Sequence, residues 1–260
     1  MYEDIIYEKK DGVGVITINR PDVLNAFRTK TIDEMTSALL DAAEDGKIGV
    51  IVIRGAGGKA FCVGGDIKEM RELNRETGRV FLNKFLNFLF SIRKAPKPVI
   101  AAVDGYCLGG GNEINITCDL TIATKKSVFG QVGPTVGSVP VITGTQLLPR
   151  ILGEKRAREV VFLCFRYSAE EAERLGWVNK VVEDGTLDSA VDEWCKRILE
   201  LSPQALRIAK LSFNFESDLL YPSFQHAVEL LASIYETEEF KEGMTAFLEK
   251  RKPDFNKFRR

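Results

Sequence analysis

The chain has 260 residues, 45% of them hydrophobic, which suffices for one large buried core, or one core with a small appendage, without disulfide staples. Its 36 basic and 37 acidic side chains leave a net charge of −1, so no overall field draws it onto nucleic acid or an anionic membrane. The cysteines at 62, 107, 118, 164 and 195 are odd in number and lack a C-x-x-C pair, so they read as free thiols in a reducing compartment rather than as disulfides or a zinc site.

The N-terminus, Met1 to Glu8, is acidic where a signal peptide is basic and then apolar, and no apolar run approaches the ~20 residues of a membrane span. The expected location is cytoplasmic. Ile5 to Asn19 reads as a hairpin turning at Asp11-Gly12, because Val13 to Asn19 alternates and Asp-Gly supplies a tight turn. Thr31-Ile-Asp-Glu34 has capping-box spacing, with Ile32, Met35, Leu39 and Ala42 on one face of a helix to about Asp45. The buried strand Val50 to Ile53 precedes a first glycine turn, Ala60 to Asp66, and then a helix from Gly78 to Lys94 carries Phe81, Phe85, Phe88 and Leu89. Pro96 and Pro98 end that helix, and the strand Pro98 to Val103 leads into a second glycine turn, Gly105 to Glu113. Strands at Leu120 to Thr124 and Val178 to Val182 follow. Strand, turn, helix, strand recurs, which argues for an α/β fold of parallel strands covered by helices. Helices are expected at Thr145 to Leu152, Glu154 to Cys164, Ala169 to Leu175, Leu187 to Leu201, Pro203 to Phe215 and Phe224 to Arg251. With no repeat and no linker, the expected organisation is residues 1–200 as the core with the ligand pocket and 201–260 as a helical C-terminal region.

Two glycine turns at strand ends suggest backbone N–H groups aimed at one ligand, and two convergent donors suit an oxyanion such as a thioester carbonyl becoming an enolate. Glu113, on the second turn, is the candidate acid or base; the alternative is a charge placed to suit the dipole of the helix begun by Gly109-Gly-Gly111. Gly55 to Ala60 matches a dinucleotide fingerprint, yet Phe61 to Gly65 interrupts the place where its helix would start, and no P-loop motif exists. The one histidine, His226, sits among apolar helical positions and reads as structural, which removes histidine triads and leaves metal clusters short of ligands. Asp66 and Asp119 read as caps. The basic stretch Phe247 to Phe255 is either a solvated helix end or a contact for phosphate or adenine.

Asn25-Ala-Phe27, Ala60 to Met70, Lys97 to Gly111, Phe129-Gly-Gln131, Gly144-Thr-Gln146 and Glu242 to Arg251 stand in the order found in the crotonase (enoyl-CoA hydratase/isomerase) superfamily, which the chain resembles from Ile5 to its end. The resemblance implies a ββα spiral core with a helical C-terminal trimerisation region. It implies that Gly65 and Gly110 hold a thioester oxygen through their N–H groups. It further implies a CoA groove along Asn25, Ala26 and Arg28 and along Ala60, Phe61, Gly64, Asp66, Ile67 and Lys68, with Phe247 and Lys250 reaching the adenine end of a neighbour's ligand. Coenzyme A enters only as part of the thioester substrate; no tightly bound cofactor, metal, nucleic acid or membrane partner is implied, and the expected assembly is a homotrimer or a dimer of trimers.

Hydratases of that family carry two glutamates around the added water. Glu113 matches the first, and Gly133 stands at the second. Gln131 to Ser138 and Ala157-Arg-Glu159 locally resemble dihydroxynaphthoyl-CoA synthase and 2-oxocyclohexanecarboxyl-CoA hydrolase, although those relatives place an aspartate where Pro140 stands and lack a match to Glu113. The expected function is an enoyl-CoA hydratase-type lyase working through an enolate, on a cyclic acyl-CoA by virtue of Gly133; the alternative is a ring-opening hydrolase or carbon–carbon lyase acting on a cyclic oxoacyl-CoA.

Overall fold

In the computed structural model, which describes residues 2–259, the chain opens as the expected hairpin, β1 (Ile5–Lys10) antiparallel to β2 (Val13–Ile18). Helix α1 (Thr29–Glu44) starts two residues before the anticipated cap. Thr31 lies inside the first turn, where its hydroxyl accepts the Arg28 N–H at 3.1 Å, while the Glu34 carboxylate accepts the Glu3 and Asp4 amides and ties down the N-terminal segment.

From there the chain repeats one path. β3 (Val50–Gly55) and β4 (Ala60–Cys62) lead to α2 (Ile67–Glu72) and α3 (Arg75–Lys94); β5 (Val99–Val103) and β6 (Tyr106–Leu108) lead to α4 (Gly110–Thr117); β7 (Leu120–Thr124) and β8 (Val128–Gly130) lead to α5 (Gly144–Leu152) and α6 (Glu154–Leu163). The first strand of each turn enters one sheet and the second enters another. With β9 (Tyr167–Ser168), α7 (Ala169–Arg174) and β10 (Lys180–Val182), the sheets run β1-β2-β3-β5-β7-β10 and β4-β6-β8-β9, parallel except at β1 and β9. The β-branched runs of β3 and β5 are buried on both faces, as parallel strands under helices require. Gly55 to Ala60 is the β3–β4 connection, and Ala60 begins a strand where a dinucleotide site needs a helix.

Pairing of β4 beside β6, with Cys62 opposite Cys107, sets the two glycine turns next to each other. The spiral itself is what doubles the turn.

After α8 (Leu187–Leu199), α9 (Pro203–Asp218) is held by Lys210, whose buried ammonium donates to the Ile92 and Lys97 carbonyls and to Asp119 Oδ2 at 2.7 Å. The single helix expected over 224–251 is two, α10 (Tyr221–Ile234) and α11 (Glu238–Leu248). Thr237 causes the break, because its hydroxyl accepts the Phe240 N–H at 3.2 Å and caps a new helix. α10 packs on α3, and α11 packs on α2 and the loop after β8, so residues beyond 200 help to wall the core.

Candidate active site

The peptide after β4 and the peptide after β6 face one another across very little space. A Cβ on Gly110 would sit 2.7 Å from the Phe27 ring and 3.3 Å from Gly64 Cα, and a Cβ on Gly65 would sit 2.5 Å from Met70 Sδ. Only glycine permits that approach without moving its neighbours. Phe27 fixes the arrangement: its N–H donates to Gly64 O, its carbonyl accepts the Asp66 N–H, and its ring stacks on Phe85 at 4.6 Å. The Gly65 N–H makes no hydrogen bond to the described residues, and the Gly110 N–H is the first of α4, an amide for which a helix has no internal acceptor. Two backbone donors therefore border the same cavity of about 70 Å³.

Glu113 lies one turn into α4 and lines that cavity while only 5% exposed. Its Oε1 accepts three backbone N–H groups from the start of α5, those of Ile142 and Thr143 at 3.1 Å and of Gly144 at 3.2 Å. Oε2 has no hydrogen-bond partner among the described residues and is the oxygen left for a ligand. Burial pushes the carboxyl up to about 7, against the pull of the three amides toward the ionised form. A carboxyl balanced near neutrality is the result. Behind it, Trp177 Nε1 donates to Asn112 Oδ1 at 2.9 Å and Thr121 Oγ1 donates to Asn115 Oδ1 at 2.8 Å, which lock the rotation of α4.

Phe81, Leu82 and Phe85 of α3 and Leu231 of α10 make the cavity's apolar wall, and Gly133, Ser138, Val139 and Pro140 of the loop after β8 close another side. A Cβ at Gly133 would meet Ser138 backbone atoms at 3.2 Å, so that stretch leaves little slack for a side chain. Two further polar groups on the wall escaped sequence reasoning. Gln131 and the Tyr235 hydroxyl are buried with no hydrogen-bond partner among the described residues. Tyr235 follows α10, at the break the sequence pattern conceals.

Gly65, Gly110, Glu113 and Gly133 thus come together around one cavity. Of the residues expected along a CoA groove, Gly64 and Asp66 flank Gly65 beside the cavity and Ala26 adjoins Phe27 of its wall, and their settings vary. Asn25, in a left-handed conformation at φ 58°, spends its side chain on the backbone: Oδ1 accepts the Arg20 N–H, and Nδ2 donates to the Ala56 and Ala60 carbonyls at 2.9 and 2.7 Å. Arg28 forms a two-pronged pair with buried Asp4, both contacts 2.8 Å. Asp66 caps α2 by accepting the Lys68 N–H, as expected, and also binds Arg20. Ala26, Ala60, Phe61 and Gly64 are buried, Ile67 is half-buried, and Lys68, Phe247 and Lys250 are exposed. Among the described residues no cluster of three or more metal-binding side chains forms, and no helix is long and apolar enough to cross a membrane.

Comparison with known proteins matches residues 8–258 to the family model described as enoyl-CoA hydratase/isomerase. Among solved structures, the chain is similar to an enoyl-CoA hydratase from Mycobacterium avium subsp. paratuberculosis, with 28% identity, 98% and 99% of the two chains covered and a TM-score of 0.90. It is similar to an enoyl-CoA hydratase/isomerase from Xanthobacter autotrophicus at 30% identity, 96% and 98% coverage and a TM-score of 0.87. An enoyl-CoA hydratase from Bacillus anthracis matches at 33% identity, 96% and 98% coverage and a TM-score of 0.79.

Proposed function

The chain belongs to the enoyl-CoA hydratase/isomerase family, and we propose that within it the protein is a lyase adding water to, or removing it from, the double bond of an enoyl-CoA, with a cyclic acyl group as its preferred substrate. The observation that carries the reading is Glu113: one carboxylate oxygen fixed by three amides, the other turned to an apolar cavity that the Gly65 and Gly110 N–H groups border.

In this reading the thioester oxygen accepts those two N–H bonds. As water adds to the β-carbon, π electrons move toward the carbonyl, and the enolate oxygen is stabilised by donors that need no reorganisation. Glu113 Oε2 takes a proton from the water and returns it to the α-carbon. Removal of water runs the same steps backwards, again starting from the ionised carboxylate. Arg28, Lys68 and their neighbours on the 25–28 and 60–68 segments are assigned to the CoA moiety, and exposed Phe247 and Lys250 to the adenine end of a neighbour's ligand in a trimer. Exposed apolar side chains on α9, among them Phe213 at 83% and Phe215 at 71%, support an assembly that covers them.

We tie the cyclic preference to Gly133: it puts no carboxylate on its side of the cavity, so Glu113 has no like charge from that position, and it adds no side chain to a loop whose Ser138 backbone already stands 3.2 Å from where a Cβ would be. Mass and absorbance changes with crotonyl-CoA, a cyclic enoyl-CoA and a cyclic oxoacyl-CoA test this: gain of water with the ring intact is hydration, and gain with ring opening is hydrolysis. Wild type should turn over the cyclic enoyl-CoA best. A wild type that prefers crotonyl-CoA by tenfold, a barrier difference of ~1.4 kcal/mol, refutes the cyclic preference.

A further inference from the structure

Gln131 follows β8 directly and has no exposed surface, and neither its Nε2 nor its Oε1 finds a hydrogen-bond partner among the described residues. A buried carboxamide with both ends unpaired is costly in a folded core and asks for a reason. Gln131 lines the same cavity as Glu113, and the two side chains are neighbours: Gln131 Nε2 and Glu113 Oε1 each stand 3.5 Å from the point a Cβ on Gly144 would occupy. Its partners must therefore come from whatever enters that cavity.

We propose that the Gln131 carboxamide holds, together with Glu113 Oε2, the water that adds to the double bond. The inference rests on the hydratase reading above and says how a site with one carboxylate orients its nucleophile. One O–H of the water is donated to Glu113 Oε2 and the other to the carboxamide oxygen, which leaves a lone pair of the water oxygen for the β-carbon. The C–O bond forms, the double-bond electrons move into the enolate, and the proton passes to Glu113 and then to the α-carbon, so one water is added in all. A carboxamide cannot take that proton. Proton traffic is confined to Glu113, and Gln131 supplies direction alone.

The assignment separates two reactions that share the enolate. Exchange of the α-protons of butyryl-CoA for deuterium needs Glu113 and the Gly65 and Gly110 donors but no oriented water, whereas hydration needs all of them. Gln131→Met keeps length and removes the polar atoms. It should lower kcat for hydration of the cyclic enoyl-CoA or crotonyl-CoA by roughly 10²-fold, the scale of a lost preorganised hydrogen bond, while exchange stays within about threefold of wild type. Its melting temperature should equal or exceed that of wild type, since an unpaired polar group has been removed from the interior. Gln131→Glu, which retains an acceptor, should recover part of the hydration rate. Hydration by Gln131→Met at near wild-type rate overturns the proposal while the hydratase reading stands. Equal loss of hydration and exchange, or a lowered melting temperature that accounts for the loss, also overturns it by making Gln131 a packing residue. A wild type that exchanges α-protons but hydrates neither substrate brings down the hydratase reading itself, and this inference with it.

Discussion

Replacing Glu113 by glutamine should change stability and catalysis in opposite directions, and the size of the first effect follows from the site. In the unfolded chain the carboxyl ionises near the ordinary value of 4.5, whereas in the folded protein burial delays ionisation to about 7. Between those values the folded state keeps a proton that the unfolded state has released, so this group makes stability fall as pH rises from about 4.5 to 7 and leaves it level outside that window. At about 1.4 kcal/mol per pH unit, the ionised form costs roughly 3 kcal/mol above pH 7. A glutamine at that position carries no such cost. Its carbonyl oxygen can accept the same three amides from residues 142–144, so the fold is not asked to rearrange.

Urea unfolding of wild type and Glu113→Gln at matched protein concentration, at pH 5 and pH 8.5, isolates the effect, because every other titrating group is common to both. Relative to wild type, the variant should gain roughly 2.5 kcal/mol between the two pH values, while kcat for hydration falls by about 10²–10⁴, the usual contribution of a positioned base. A stability difference independent of pH would mean that the folded carboxyl titrates normally and that burial does not balance it near neutrality.

The same ionisation should appear in turnover: kcat/KM for hydration should rise through about pH 7 and stay level above it, with that limb lost in Glu113→Gln. Gly110→Ala forces a Cβ to 2.7 Å from a Phe27 ring already stacked on Phe85, so the donor must move; kcat should drop on the order of 10²-fold, with circular dichroism reporting the fold, and an unchanged kcat would dismiss Gly110 as a donor. Sedimentation should give a trimer or a dimer of trimers at micromolar concentration; a fully active monomer would remove the cross-subunit roles assigned to Phe247 and Lys250.

The fold could be read from sequence where one physical cause dominated. Val50 to Ile53 and Val99 to Val103 are short β-branched runs that only a strand buried on both faces uses, and each precedes a glycine turn whose next element is helical. Boundaries were hidden where two causes compete. Apolar spacing continues from Phe224 toward Arg251 as though one helix ran through, and Thr237 interrupts it by offering its hydroxyl to the Phe240 amide, a contact that periodicity does not report. The start of α1 misleads in the reverse way, since Thr31 and Glu34 have capping-box spacing but Glu34 serves the backbone of residues 3 and 4.

At the site, a residue's type was legible and its surroundings were not. Glu113 stands out because three glycines precede it, yet what sets its protonation is a row of amides at 142–144, some thirty positions downstream and anonymous as sequence. Asn25 shows the converse: a polar residue in a motif invites a ligand role, and here its amide is consumed by the Arg20, Ala56 and Ala60 backbone. Gln131 and Tyr235 look like ordinary polar positions after a strand and at a helix end. They are buried and unpaired where β8, the start of α5 and the end of α10 meet around the cavity, segments that lie far apart in sequence. What sets these two groups apart from surface polar groups in this chain is the hydrogen bond each lacks, and a missing partner is a property of the packed structure that no local spacing encodes.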